Sequence, residues 1–227
     1  MGRTVLPLYT PRYIPKGSEL AIITTSKGAV AVALNGLDAP LTVGNFIELA
    51  RRGFYDNLKF HAYKAGSAIL GGCPITRTLG PAQVDAAARG VVHGIHPGRG
   101  DASYTIKDEY EGKANNHHES GSLVFAHTSQ PDSGSCQFYF SLSEQPEYDN
   151  SFVVFGQTVE GIAVVQSLRV GDAIESIEIK NADEEALAEA ISQEPPRPEK
   201  TPTDVWRELQ RQKSRTGAQA KGPDSPQ

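Results

Sequence analysis

Cysteine is scarce: the 227-residue chain has two, Cys73 and Cys136. That excludes a disulfide scaffold and any Cys-x-x-Cys metal site, and it suits a reduced, cytoplasmic setting. Long apolar runs are missing too. Stretches such as Ala29–Leu34 and Ile162–Val165 fall far short of the roughly 20 residues needed to cross a bilayer. The first residues carry one Arg but no apolar segment, and Pro7 and Pro11 interrupt the run, so no secretory leader is expected. Positive charge is not in excess either. Lys+Arg is 22 against Asp+Glu 27, a net charge of −5. A dedicated nucleic-acid binder needs a basic face to displace phosphate counterions, so no nucleic-acid partner is expected. Both signs are interleaved, so no polybasic membrane patch is expected. No internal repeat is visible.

What is present reads as one domain with extras. A body of roughly 150–180 residues buries about 70% of its unfolded surface, enough for a core. Residues 1–18 form an N-terminal extension and 19–180 the domain. Composition changes near 181, where a short Ala/Leu/Glu-rich helix pattern leads into Pro195, Pro196, Pro198 and Pro202. Residues 181–227 are expected to be a flexible, partly helical tail. A second tail helix, Thr203–Lys213, carries the only Trp, Trp206; it docks on the body or meets a protein partner.

Within the domain, Glu19–Thr25 and Lys27–Leu34 flank a hairpin signal at Ser26-Lys27-Gly28. A helix starts at Pro40, with Val43, Phe46, Ile47 and Ala50 on one stripe; Arg51, Arg52 and Gly53 suit its end. Short strands follow at Lys59–Tyr63, Ser67–Gly71, Ser122–His127, Gln137–Leu142, Phe152–Val159 and Ile174–Ile179, with a second helix at Gly161–Leu168. Many short strands, two helices and frequent turns predict a mainly β, closed barrel with helices at its ends.

Several segments resemble one family. Ala39-Pro40-Leu41-Thr42-Val43-Gly44-Asn45-Phe46, Gly53-Phe54-Tyr55-Asp56-Asn57-Leu58-Lys59-Phe60-His61, Gly71-Gly72-Cys73-Pro74 and Tyr104-Thr105-Ile106-Lys107-Asp108-Glu109-Tyr110 are similar to cyclophilin-type peptidyl-prolyl isomerases. So are Gly121–Tyr139, which resembles a bacterial form of the central signature, and Pro146-Glu147-Tyr148-Asp149 followed by Val153–Gly156. The resemblance implies an eight-stranded antiparallel barrel capped by two helices, and an enzyme that rotates X–Pro bonds in proline-containing polypeptides to assist folding. It implies no cofactor and no metal. The uncatalysed barrier is roughly 18–20 kcal/mol. Twisting the amide makes the proline nitrogen a better acceptor, so a donor aimed there favours the transition state.

By this resemblance Gln137 and Phe60 are catalytic, and Ala126, His127, Tyr139, Tyr148 and Phe152 bind substrate. Four positions depart from the family. Ala62 stands where the family has its donor Arg, Ser67 and Ala68 replace an aromatic and a Met, and Leu70 replaces a Gln. Those changes predict reduced activity, or, as an alternative, a non-catalytic proline-peptide binding module or chaperone. Residues of about 75–103 form an insertion relative to the family's short Gly-rich loop, expected as a helix over Gln83–Arg89 and a rim loop. Its Arg77, Arg89 and Arg99 are expected on the solvated surface; the alternative is that one replaces the missing donor. His93, His96, His117 and His118 read as loop histidines, Cys73 and Cys136 as buried free thiols, and Asp108-Glu109 as a structural pair. A closed barrel has no free edge, so a monomer is expected.

Overall fold

The computed structural model describes residues 6–110 and 116–196. Nine strands form one antiparallel sheet: β1 Leu20–Thr25, β2 Gly28–Leu34, β3 Leu58–Lys59, β4 Ala62–Lys64, β5 Ala68–Gly71, β6 Ser122–Phe125, β7 Phe138–Ser141, β8 Val154–Glu160 and β9 Ala173–Lys180. Their order is β3-β9-β1-β2-β8-β6-β7-β5-β4. The two end strands belong to one continuous segment. Leu58–Lys59 runs through Phe60 and His61 into Ala62–Lys64. On one side the Phe60 N–H donates to the Asp172 carbonyl and its carbonyl accepts from Gly171 N–H, both at 2.9 Å. On the other side the His61 N–H donates to the Leu70 carbonyl at 2.8 Å. The segment therefore joins both edges and closes the barrel. Counted as one stave, β3 and β4 bring the nine strands to the expected eight.

Alternation drives the closure. In β1, Ala21, Ile23 and Thr25 are buried while their neighbours are half-buried, the period-two signature of a strand with one face inward. The inner faces meet around Phe46 of helix α1 (Pro40–Arg51). Its ring lies 5.2 Å from Tyr55, 5.9 Å from Phe138 and 5.2 Å from Phe155. Helix α3, Ile162–Ser167, packs Val165 into the same core.

The predicted α1 start is correct, but Ala39 supplies no side-chain cap. Glu109, 68 positions away, does so instead. Its carboxylate accepts from the Leu41 N–H at 3.0 Å and the Thr42 N–H at 2.7 Å, satisfying donors that a helix leaves open.

Both ends of the described chain dock on α1. Residues 6–18 lie across it with Tyr9 and Tyr13 buried. A Cβ on Gly44 would stand 2.5 Å from the Tyr13 carbonyl oxygen, so only glycine admits that approach. The segment after 181, expected as a flexible, partly helical tail, forms a helix where the Ala/Leu/Glu pattern lies, α4, Glu184–Ser192, and that helix is docked on the body. Its Leu187 and Ala190 enter the main core, and the Asp183 N–H donates to the Tyr13 hydroxyl at 3.1 Å. Apolar burial outweighs the weak intrinsic helicity of so short a segment. Trp206 and Thr203–Lys213 lie outside the described residues. The insertion contains helix α2, Pro81–Ala88, with Val84 and Ala87 buried, followed by an irregular stretch.

Candidate active site

Residues paired across strands share a face. On the outer face of the barrel, β5, β7, β6 and β8 present Ala68, Tyr139, Val124 and Val154 as a buried apolar cluster. Leu70, Ala126 and Phe152, all half-buried, pack against it. Phe152 continues the shelf: its ring lies 6.0 Å from Tyr139, 5.7 Å from Tyr148 and 4.5 Å from His127. Five of the predicted site positions thus form one shelf (Ala68, Leu70, Ala126, Tyr139, Phe152), and Tyr148 and His127 border it. Ala62 pairs with Leu70 across β4 and β5, at the shelf's edge. Ser67 is tied back: its hydroxyl donates to Gln145 Oε1 at 2.6 Å.

Phe60 does not belong to this surface. It is fully buried inside the barrel: it lies in the break between β3 and β4, so alternation does not carry it onto the face of Ala62, and its ring packs where a Cβ on Gly71 would point. It cannot touch a peptide on the outer face. Gln137 sits just before β7, and its amide is already engaged. Nε2 donates to the Gly98 carbonyl at 2.9 Å and the Gly100 carbonyl at 2.8 Å, which clamps the inserted loop to the barrel.

Two features escaped the sequence reading. The first lies behind the shelf. Tyr139 Oη is 3.1 Å from His118 Nε2, and His118 Nδ1 is 3.0 Å from Asp149 Oδ1. Burial pushes the Tyr139 phenol up and the His118 imidazole down, the latter against the opposing pull of Asp149. The consistent arrangement is a neutral His118 that donates from Nδ1 to Asp149 and accepts the Tyr139 proton at Nε2. This chain fixes the Tyr139 ring. No spacing rule links positions 118, 139 and 149; the barrel alone brings them together. Tyr139→Phe is expected to leave His118 Nε2 buried without a donor, lowering stability by about 1–2 kcal/mol while keeping the ring. Urea denaturation checks the first effect, and an unchanged peptide-binding affinity checks the second.

The second feature is a cavity of about 400 Å³ beside Ala62, between β4, α2 and the inserted loop, lined also by His61, Pro97, Arg89 and Arg99. His61 is 4% exposed, and its Nδ1 has no hydrogen-bond partner. Arg89 is paired with Asp85. Arg77 lies outside this cavity and donates to the carbonyls of Asp56 and Phe54.

A family description, cyclophilin type peptidyl-prolyl cis-trans isomerase/CLD, matches residues 20–186. The chain belongs to the cyclophilin family. Its relatives include peptidyl-prolyl cis-trans isomerases of Helicobacter pylori (35% identical, covering 69% of this chain and 84% of the relative) and Synechococcus elongatus (37% identical, 70% and 94%). These names place the relatives in the isomerase class of enzymes. A solved Cryptosporidium parvum cyclophilin shares the fold, with a TM-score of 0.57, 24% identity and coverage of 71% of this chain and 99% of that one. In this cyclophilin the match spans the barrel, the shelf and the insertion. It ends within α4. No helix among the described residues is long and apolar enough to cross a membrane.

Proposed function

We propose that this cyclophilin catalyses cis–trans isomerisation of X–Pro bonds in polypeptides and so assists folding. Its activity is lower than that of relatives with an arginine at the position of Ala62. The observation that carries the reading is the apolar shelf of Leu70, Ala126, Tyr139 and Phe152 on the outer face of a cyclophilin barrel. A prolyl ring laid on such a shelf loses its hydration and gains roughly 25 cal/mol per Å² of apolar surface removed from water. The Cryptosporidium parvum relative was solved in the presence of the dipeptide Ala-Pro, and the same chemistry at this shelf supports proline-containing polypeptides as the substrate class. The protein acts in the cytoplasm as a monomer, and residues beyond 196 offer a place for a protein partner.

The test is NMR exchange spectroscopy on the blocked peptide Ala-Ala-Pro-Phe. Wild type is expected to accelerate cis–trans exchange. Phe152→Ala removes one wall of the shelf from a half-buried position and is expected to raise KM about tenfold, the effect of losing roughly 1.4 kcal/mol of apolar contact. Peptide binding without any acceleration would replace this reading with the non-catalytic binding module.

A further inference from the structure

This inference rests on the isomerase reading. Rotation about an X–Pro bond breaks amide resonance and localises the nitrogen lone pair. A hydrogen-bond donor aimed at that nitrogen binds the twisted state better than either planar one. The donor has to stand at the edge of the shelf that holds the proline ring. Opposite Leu70, β4 offers only the methyl group of Ala62, and Lys64, on the same face opposite Ala68, is engaged with the Tyr148 hydroxyl at 3.3 Å.

The insertion brings three guanidinium groups into the neighbourhood, and their surroundings separate them. Arg77 is held by the carbonyls of Asp56 and Phe54. Arg89 is paired with Asp85. The Arg99 side chain makes no hydrogen bond or ion pair among the described residues; its backbone N–H donates to the His96 carbonyl at 3.2 Å. Its main chain, by contrast, is held on both sides. The carbonyls of Gly98 and Gly100 both accept from Gln137 Nε2, at 2.9 and 2.8 Å. The Gly98 N–H donates to Cys73 Sγ at 3.2 Å. A pinned backbone with an unpaired side chain presents a donor without spending it on the protein itself.

The space in front of Arg99 is of the right kind. Arg99 lines the same cavity as Ala62, and Ala62 stands opposite Leu70 of the shelf, roughly 5 Å away across an antiparallel pair. Ala62 is the point at which this cavity meets the edge of the shelf. The acidic group of the cavity, Asp85, is already neutralised by Arg89. His61, buried behind the loop, adds no competing positive charge at neutral pH.

We propose that Arg99 is the catalytic donor to the proline nitrogen, supplied from the inserted loop, and that Gln137 is a positioning residue that aims it. A loop holds a donor less rigidly than a strand, which accounts for activity that is reduced and not abolished.

The experiment measures catalysed exchange of Ala-Ala-Pro-Phe by NMR in the full chain. Arg99→Ala is expected to lower the catalysed rate about 10²-fold, the usual effect of removing one preorganised donor. Peptide-induced shifts at Tyr139 and Phe152 should persist, since the shelf is untouched. Arg99→Lys should recover part of the rate. Adding Ala62→Arg to Arg99→Ala should recover at least tenfold, by returning a guanidinium to the same cavity from the strand. Gln137→Ala should slow exchange as well, with no further loss in the double variant, because both changes remove one device. Arg99 is exposed on a loop, so the amide spectrum of Arg99→Ala should remain that of a folded barrel. Wild-type exchange in Arg99→Ala overturns the proposal, and so does loss of peptide binding in parallel with rate. A wild type that binds the peptide without accelerating exchange overturns the isomerase reading instead.

Discussion

Replacing Glu48 with alanine is expected to lower the free energy of unfolding by about 4 kcal/mol. This residue is buried in α1 and holds the N-terminal arm by three bonds. Its carboxylate accepts from the Tyr9 hydroxyl at 2.7 Å, the Arg12 N–H at 2.6 Å and the Tyr13 N–H at 2.8 Å. A buried donor left without its acceptor costs about 1–3 kcal/mol. Two of the three are buried, and the third, at Arg12, is partly accessible and can turn to water. The arm cannot drift outward to hydrate them all cheaply, because Tyr9 and Tyr13 belong to the main core. For a domain of this size about 4 kcal/mol corresponds to a fall in Tm of roughly 8–16 °C. Thermal unfolding followed by circular dichroism checks it. Glu48→Gln keeps the volume and one acceptor oxygen, so about half the loss is expected. A change in Tm below about 2 °C in the alanine variant would mean that the arm is held by apolar contact alone.

Acidification is expected to remove about 3 kcal/mol of stability through His61 alone. Burial pushes this imidazole down to about 4, against a weaker opposing pull from the Gln137 amide. In the unfolded chain it titrates near its ordinary value of about 6.5. Between these two values the unfolded state binds the extra proton, so stability rises with pH across that window. The contribution is complete above about pH 6.5 and lost as pH falls to about 4. The shift of roughly 2.5 units corresponds to about 3 kcal/mol. Urea denaturation at pH 7 and at pH 4 measures it, with His61→Gln as comparison. The variant should show a loss smaller by about that amount. Glu19 adds a loss at lower pH: burial opposes its ionisation, but backbone N–H groups at 16–18 and the Tyr13 hydroxyl outweigh that and hold its carboxyl below the ordinary range. Because it is retained in both proteins, it cancels in the comparison. Equal losses in both would place the proton elsewhere.

These expectations draw on contacts that differ in how far they were legible in the sequence. The strands and α1 came from patterns that complete themselves within a few residues. Alternation in β1 and β2, the turn at Ser26-Lys27 and the stripe at Val43, Phe46, Ile47 and Ala50 need only the pleat and the helical turn for their reading. The shelf was also legible, position by position, through the resemblance of Ala126, Tyr139 and Phe152 to a family pattern. The barrel then places them together. Phe60 shows the limit of that route. It lies in the motif, yet the break between β3 and β4 leaves its ring in the core.

Other features had no local signal at all. The cap of α1 comes from Glu109, 68 positions on, and the anchor of the arm from Glu48, up to 39 positions from its partners. The Tyr139–His118–Asp149 chain and the Gln137 clamp on Gly98 and Gly100 join strands to loops. Glutamate, histidine and glutamine carry no pattern that names a distant acceptor or donor. Their partners are chosen when closure of the barrel excludes water and leaves each buried polar group one neighbour to bond. The strands and helices were legible in the chain, because hydrophobic periodicity is a property of neighbours, and the apolar shelf was legible through the family resemblance of its residues. Which arginine side chain stands unpaired beside Ala62 emerged from the fold alone, because pairing depends on which carbonyls and carboxylates come within reach.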